Sequence, residues 1–197
     1  MSTNNLENTG TVLGDMIGEQ NTYIMQMICQ NNYTKIPTLL TDLIKMLANV
    51  NEDELDEEFL DIIPYKTDEK IEYNNVKKYK YIIVEYSKFY NTCENILNTM
   101  DNYNVGSKRK ILDSIKIQYN KILGDLLLSS NKSRIETIRD NADKIIEKVE
   151  NILRNRIEQQ VNENLTQEEI DIGLLIIICY AFSECKILDK PKRRERC

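Results

Sequence analysis

The chain has 197 residues, 41% of them hydrophobic and 29% charged, with a formal net charge of −6 at pH 7. That is enough apolar material for one domain with its own core, and too much for an intrinsically disordered chain. Histidine is absent altogether, which removes the commonest general base and the commonest zinc ligand.

The charge is unevenly spread. Residues 1–75 hold 4 Lys/Arg against 14 Asp/Glu, and residues 76–197 hold 22 against 18. No continuous basic face follows from that balance, so composition gives no push toward nucleic acid. The five cysteines, Cys29, Cys93, Cys179, Cys185 and Cys197, form no C-x-x-C pair. Their odd number suits free thiols in a reducing compartment. The opening residues MSTNNLENTG lack the basic and apolar regions of a secretory signal, and a cytoplasmic location is the expectation.

In chain order, residues 1–22 carry glycines at 10, 14 and 18 without a helical stripe, and read as an extended or flexible Gly/Asn-rich arm. Residues 23–31 fit strand and helix equally. In KIPTLLTDLIKMLANV, Pro37 suits a first helical turn, and Leu39, Leu40, Leu43, Ile44 and Leu47 repeat at helical spacing. Seven acidic residues follow between Glu52 and Asp61. They read as a solvated linker or helix edge ending at Pro64, because they lack the alternate oxygen ligands and central glycine of a calcium loop. Residues 23–66 are thus expected to form a short helical, acidic region.

From residue 67 the chain reads as helical almost to its end. Val76, Tyr79, Ile83, Tyr86, Tyr90, Cys93, Leu97 and Met100 alternate at spacings of three and four, and Ile82, Phe89 and Ile96 widen the stripe. So broad a stripe predicts a core-facing helix. Gly106 marks a turn. Ile111, Leu112, Ile115, Tyr119, Ile122, Leu123 and Leu126 predict the next helix, with Gly124 a weak point. Ser133 and Glu136 fit a capping box ahead of the stripe Ile135, Ile138, Ala142, Ile145, Val149 and Ile152, extended by Ile157 and Val161. Thr166 and Glu169 fit a second box, and Asp171 puts negative charge near a helix start.

The most apolar stretch comes last, in IDIGLLIIICYAFSECKILDKP (170–191). No charge falls between Ile172 and Ser183, but that span is well short of the roughly twenty residues a bilayer requires. Asp171 and Glu184 bracket it closely. A helix apolar all round is expected at the centre of a bundle, including Leu174, Leu175, Ile176, Ile177 and Ile178. The fold class is therefore all-α: a multi-helix bundle with a central apolar C-terminal helix and an N-terminal arm.

Catalytic signatures are missing. There is no phosphate-binding G-x-x-x-x-G-K-[ST] loop and no G-x-G-x-x-G loop, and a serine or cysteine nucleophile would have no histidine beside it. The expectation is a non-enzymatic protein with no catalytic, cofactor-binding or metal residues. Two features suggest binding instead. YNNVKKYKYIIVEYSKFY (73–90) interleaves tyrosines with lysines, although Tyr79, Tyr86 and Tyr90 also fit core packing with the hydroxyl at the rim. The tail DKPKRRERC is basic, as suits a nucleic-acid contact or a solvated terminus.

Four segments carry a resemblance. KIEYNNVKKYKYIIVEYSKFYNTCENIL (70–97), SKRKILDSIKIQYNKI (107–122), IRDNADKIIEKVENIL (138–153) and IDIGLLIIICYAFSECKILDKP (170–191) together resemble the C-terminal domain of bacterial ABC-three-component systems. The ending C-K-I-L-x-x-P is its most telling part. The resemblance implies a conflict or anti-phage defence system, in which an ABC-type ATPase works with a middle component and an effector. It implies a docking module over residues 67–191, followed by a basic tail, 192–197. A nuclease, peptidase or other toxic domain usually precedes that module; here about seventy residues precede it and show no enzyme motif.

The resulting expectation is a docking subunit whose partners are the ABC-type ATPase and middle-component proteins, with Glu184, Cys185, Lys186, Leu188 and Pro191 as the docking residues. The alternatives are a nucleic-acid-binding helical adaptor and a helical structural oligomer.

Overall fold

The computed structural model describes residues 39–48, 67–159 and 165–191. All of them belong to one compact unit, Pro37–Cys197. The N-terminal arm, residues 23–31, the acidic run, Val161 and the basic tail lie outside the described residues.

Among the described residues every regular element is helical: α1 (Leu39–Ala48), α2 (Thr67–Asn74), α3 (Lys80–Tyr86), a 3-10 turn (Ser87–Phe89), α4 (Tyr90–Tyr103), α5 (Ser107–Leu128), α6 (Arg134–Glu158) and α7 (Gln167–Ser183). The all-α expectation is met. No helix among the described residues is long and apolar enough to cross a membrane.

Helix α7 is the axis of the bundle. Helices α1, α3, α4 and α6 pack against it. Of its apolar run, Leu174 and Ile176 to Phe182 are buried, while Ile172 is exposed and Leu175 half-buried. Each fully buried large apolar side chain contributes on the order of 2 kcal/mol before ordering entropy is subtracted. Helix α1 meets α7 closely because Gly173 leaves room: a Cβ there would lie 2.8 Å from Ile44 Cδ1.

Both expected capping boxes form. The Ser133 and Thr166 side chains accept from the backbone N–H of Glu136 and Glu169, whose carboxylates accept from the cap N–H in return. Gly106 turns the chain between α4 and α5 at φ +86, a left-handed conformation that glycine adopts without a Cβ clash.

The long stripe from Val76 to Met100 does face the core, but it is not one helix. Asn75 ends α2 in the left-handed region at φ 57. Val76 N–H reaches back to Ile71 O at 3.0 Å, and Asn75 N–H to Glu72 O at 3.1 Å, the double closure of a Schellman cap. Asparagine tolerates that conformation. The segment that leads into α3 is held by Asp143 of α6, which accepts from Lys77 N and Tyr79 N at 3.1 Å each. The tighter turn Ser87–Phe89 shifts the register between α3 and α4. Buried positions on either side therefore keep facing inward although the helix is interrupted.

Candidate functional site

The C-terminal end of α7 is where chemistry-bearing groups gather. The helix stops at a second Schellman cap: Lys186 N–H donates to Ala181 O at 2.8 Å and Cys185 N–H to Phe182 O at 3.1 Å. Its left-handed residue is Cys185, at φ 54, where a glycine is usual. Leu188 is left-handed as well, at φ 61. These two reversals fold residues 184–191 back over the end of α2, the middle of α5 and the start of α6.

Helix α2 supplies the inner anchor. Lys70 is completely buried, and its ammonium donates to Phe182 O and, at 2.9 Å, to Ile187 O. Phe182 O is one of the carbonyls that a helix C-terminus leaves without an intrahelical partner. The cation also lies 4.2 Å from the centroid of the Phe182 ring. Burial pulls the Lys70 ammonium down to about 8 from 10.5, against the opposing pull of Cys185, Asp189 and Glu184. One turn on, Asn74 donates to Asp189 O at 2.7 Å and accepts from Asp189 N at 3.2 Å.

An outer clamp closes on the Asp189 carboxylate. Arg134, the first residue of α6, binds it through both Nε (2.9 Å) and Nη2 (2.8 Å), a two-pronged contact with planar geometry. The Tyr119 hydroxyl of α5 donates to the same carboxylate at 3.1 Å. Arg134 holds Asp189 below the usual carboxylate range, although burial works against it. Burial and the neighbouring Asp189 push the Tyr119 hydroxyl up, so it stays a neutral donor.

Above this clamp lies a cleft of about 520 Å³. Lys116, Arg134, Lys186 and Lys190 supply its positive charge, Glu184 and Asp189 its negative charge. The Tyr90 hydroxyl, on the other side of the α7 end, donates to Glu184 at 2.7 Å, and the Tyr90 ring stacks on Tyr180 at 5.0 Å. Burial and the Glu184 carboxylate raise the Tyr90 hydroxyl above its ordinary value. Among the described residues, no group of three or more His, Cys, Asp or Glu side chains could hold a metal ion.

The five residues singled out from the sequence therefore share one turn but not one environment. Glu184, Cys185 and Lys186 are half-buried and line the cleft, and Pro191 is half-buried beside it. Leu188 also borders the cleft, but its side chain is 2% exposed and packs in the core. Lys70, Asn74, Arg134 and Asp189 carry no site signal of their own in the sequence, and Tyr119 shows only as part of an apolar stripe, although all five hold the turn in place. A partial signal was present, because Lys70 and Asn74 are one turn apart and Ile71 shares their face.

The chain matches the family described as C-terminal domain 10 of the ABC-three component (ABC-3C) systems, over residues 38–189. The chain belongs to this family. No curated protein and no solved structure matches it.

The match to the ABC-three component domain takes in α1 at its start and runs to Asp189. Helix α1 is an integral part of it, since Leu43 and Ile44 are wholly buried in the same core as α7. Within the domain other polar groups are committed as well, although the buried hydroxyls of Thr41 and Thr67 have no hydrogen-bond partner among the described residues. Glu94 accepts from Tyr180, Lys108 and Asn98; burial opposes its ionisation, but those hydrogen bonds hold it below the usual carboxylate range. Cys93 and Cys179 are free thiols in the core, both pushed up by burial. A buried, protonated thiol is a poor nucleophile.

Proposed function

We propose that this chain is a non-enzymatic docking subunit of an ABC-three component system, and that it engages the system's ATPase or middle-component proteins through the turn Glu184–Pro191 and the cleft beside it. The observation that carries the reading is the immobilisation of that turn. Two left-handed residues, a buried lysine, an asparagine and an arginine clamp all act to present a short polar segment on a rigid bundle. A surface ordered before binding loses less entropy when a partner arrives, which is what a docking module requires. The titratable groups held deepest around the turn and the core are spent on structure: Lys70 on carbonyls, Asp189 on Arg134, Glu94 on Tyr180 and Lys108. That commitment favours binding over catalysis, and a role in anti-phage defence or conflict is part of the same proposal.

The test is co-purification. The tagged full chain, expressed together with the proteins encoded beside it, is expected to bring down an ABC-type ATPase or a middle component. Repeated recovery of the chain alone from such co-expression overturns the reading.

A further inference from the structure

We propose that the cleft above the C-terminal turn receives an acidic peptide segment of the partner protein, with its carboxylates seated on Lys116, Lys186 and Lys190. This rests on the docking reading and adds the chemistry of what docks.

The three ammonium groups come from separate places. Lys116 stands midway along α5, and Lys186 and Lys190 lie on the turn after α7, yet all three line one concavity of about 520 Å³. None of them has a salt-bridge or hydrogen-bond partner for its side chain among the described residues. Some other cations of the domain are paired, among them Lys78 with Glu147, Lys132 with Asp140 and Arg154 with Asp171. Lys80, Lys121, Lys144 and Lys148 stand singly among the described residues, on open surface, so what distinguishes the three cleft lysines is their convergence on one concavity. Within the cleft itself the fourth cation, Arg134, is committed to Asp189, and Glu184 accepts from Tyr90. The lining therefore has its carboxylates occupied and its lysines free. That is a local excess of positive charge on a chain whose net charge is −6, and it complements a ligand bearing two or three carboxylates.

A nucleic acid fits less well. A phosphate backbone asks for a continuous basic track, and the whole-chain charge repels it at long range. Glu184 and Asp189 also interrupt the lysines, where they would face phosphates. A short peptide meets them with backbone N–H groups as well as with side chains.

The experiment uses the full chain and a fluorescent hexaglutamate peptide as the probe, read by anisotropy at low salt. Saturable binding is expected, weakening as salt rises and falling about tenfold or more in K116E/K186E/K190E. An unchanged circular-dichroism spectrum certifies that variant's fold, and the Lys→Gln triple replaces it if the reversal unfolds. No saturable binding, or equal binding by wild type and variant, overturns the proposal. Tighter binding of a single-stranded oligodeoxythymidine than of the peptide overturns it in favour of nucleic acid. Co-purification of system components that survives the triple reversal overturns the acidic-segment inference and leaves the docking reading standing.

Discussion

Asn74 and Asp189 stand 115 residues apart and bond each other twice: the Asn74 amide donates to Asp189 O and accepts from Asp189 N. A single side chain thereby mimics a strand neighbour and pins the last turn of the family domain to α2. Asn74→Ala leaves one carbonyl and one N–H without partners in a partly buried place. Each such group costs about 1–3 kcal/mol, so a loss of about 2–4 kcal/mol is expected in urea denaturation. Limited proteolysis should cut near residue 189 sooner than in wild type. Unchanged denaturation and cleavage would show that the exchange does not hold the turn.

Lys70 gives the domain an alkaline signature. Its folded-state pKa of about 8 lies below the 10.5 of the free side chain. Between those values the unfolded chain binds more protons than the folded one, so stability rises with pH across that window. Below pH 8 both states are protonated, and the cost of burying the charge is fully present. Relative to Lys70→Met, which has no amine to titrate, wild-type stability should rise by about 2 kcal/mol between pH 7.5 and 9.5. Comparing the two in urea at each pH cancels the tyrosines and carboxylates they share. A flat difference would mean that Lys70 keeps its ordinary basicity.

These residues also show where reading the sequence stops. The apolar stripes, the capping boxes at Ser133 and Thr166 and the central position of α7 are legible in the sequence: the caps join partners three residues apart, and the spacing of apolar residues shows which faces must be buried. The end of α2 at Asn75 was not: a left-handed asparagine leaves the 3.6-residue rhythm of Val76, Tyr79 and Ile83 undisturbed. Lys70 is hidden in the sequence for a different reason. A lysine in a helical pattern is a surface residue unless something buried needs it, and here that is a pair of carbonyls more than a hundred residues away. The resemblance leads to the turn 184–191, and only the fold shows that Glu184, Cys185 and Lys186 are half-buried there while the Leu188 side chain is buried in the core.

Two glycines on long helices should respond oppositely to alanine. At Gly173 a new Cβ would lie 2.8 Å from Ile44 Cδ1, 3.0 Å from its Cγ2 and 3.5 Å from its Cα, so α1 and α7 must part or Ile44 must rotate. Overpacking of this kind costs about 1–3 kcal/mol. Ile44→Val removes the nearest atom and should recover part of the loss in the double variant. At Gly124 nothing lies within 4 Å, and its helical φ suits alanine. Gly124→Ala should therefore raise stability by about 0.5–1 kcal/mol. Thermal melts of the two variants that shift in the same direction would contradict the close approach of α1 and α7.

The two left-handed residues of the turn should likewise part company when replaced by glycine. Cys185 is half-buried and sits at φ 54, where a side chain costs about 1–2 kcal/mol relative to glycine. Against that stand only a weak thiol contact to Ser183 O, at 3.8 Å, and the sulfur's interaction with Lys70. Cys185→Gly is expected to stabilise the domain by about 0.5–1 kcal/mol. Leu188 has the same backbone conformation, at φ 61, but its side chain is in the core. Relieving its backbone does not offset a buried cavity, so Leu188→Gly should destabilise by about 2–4 kcal/mol. Urea denaturation of both variants checks the signs. If Cys185→Gly instead weakens the fold and also lowers co-purification of system components, the thiol contributes more to the turn than its geometry shows.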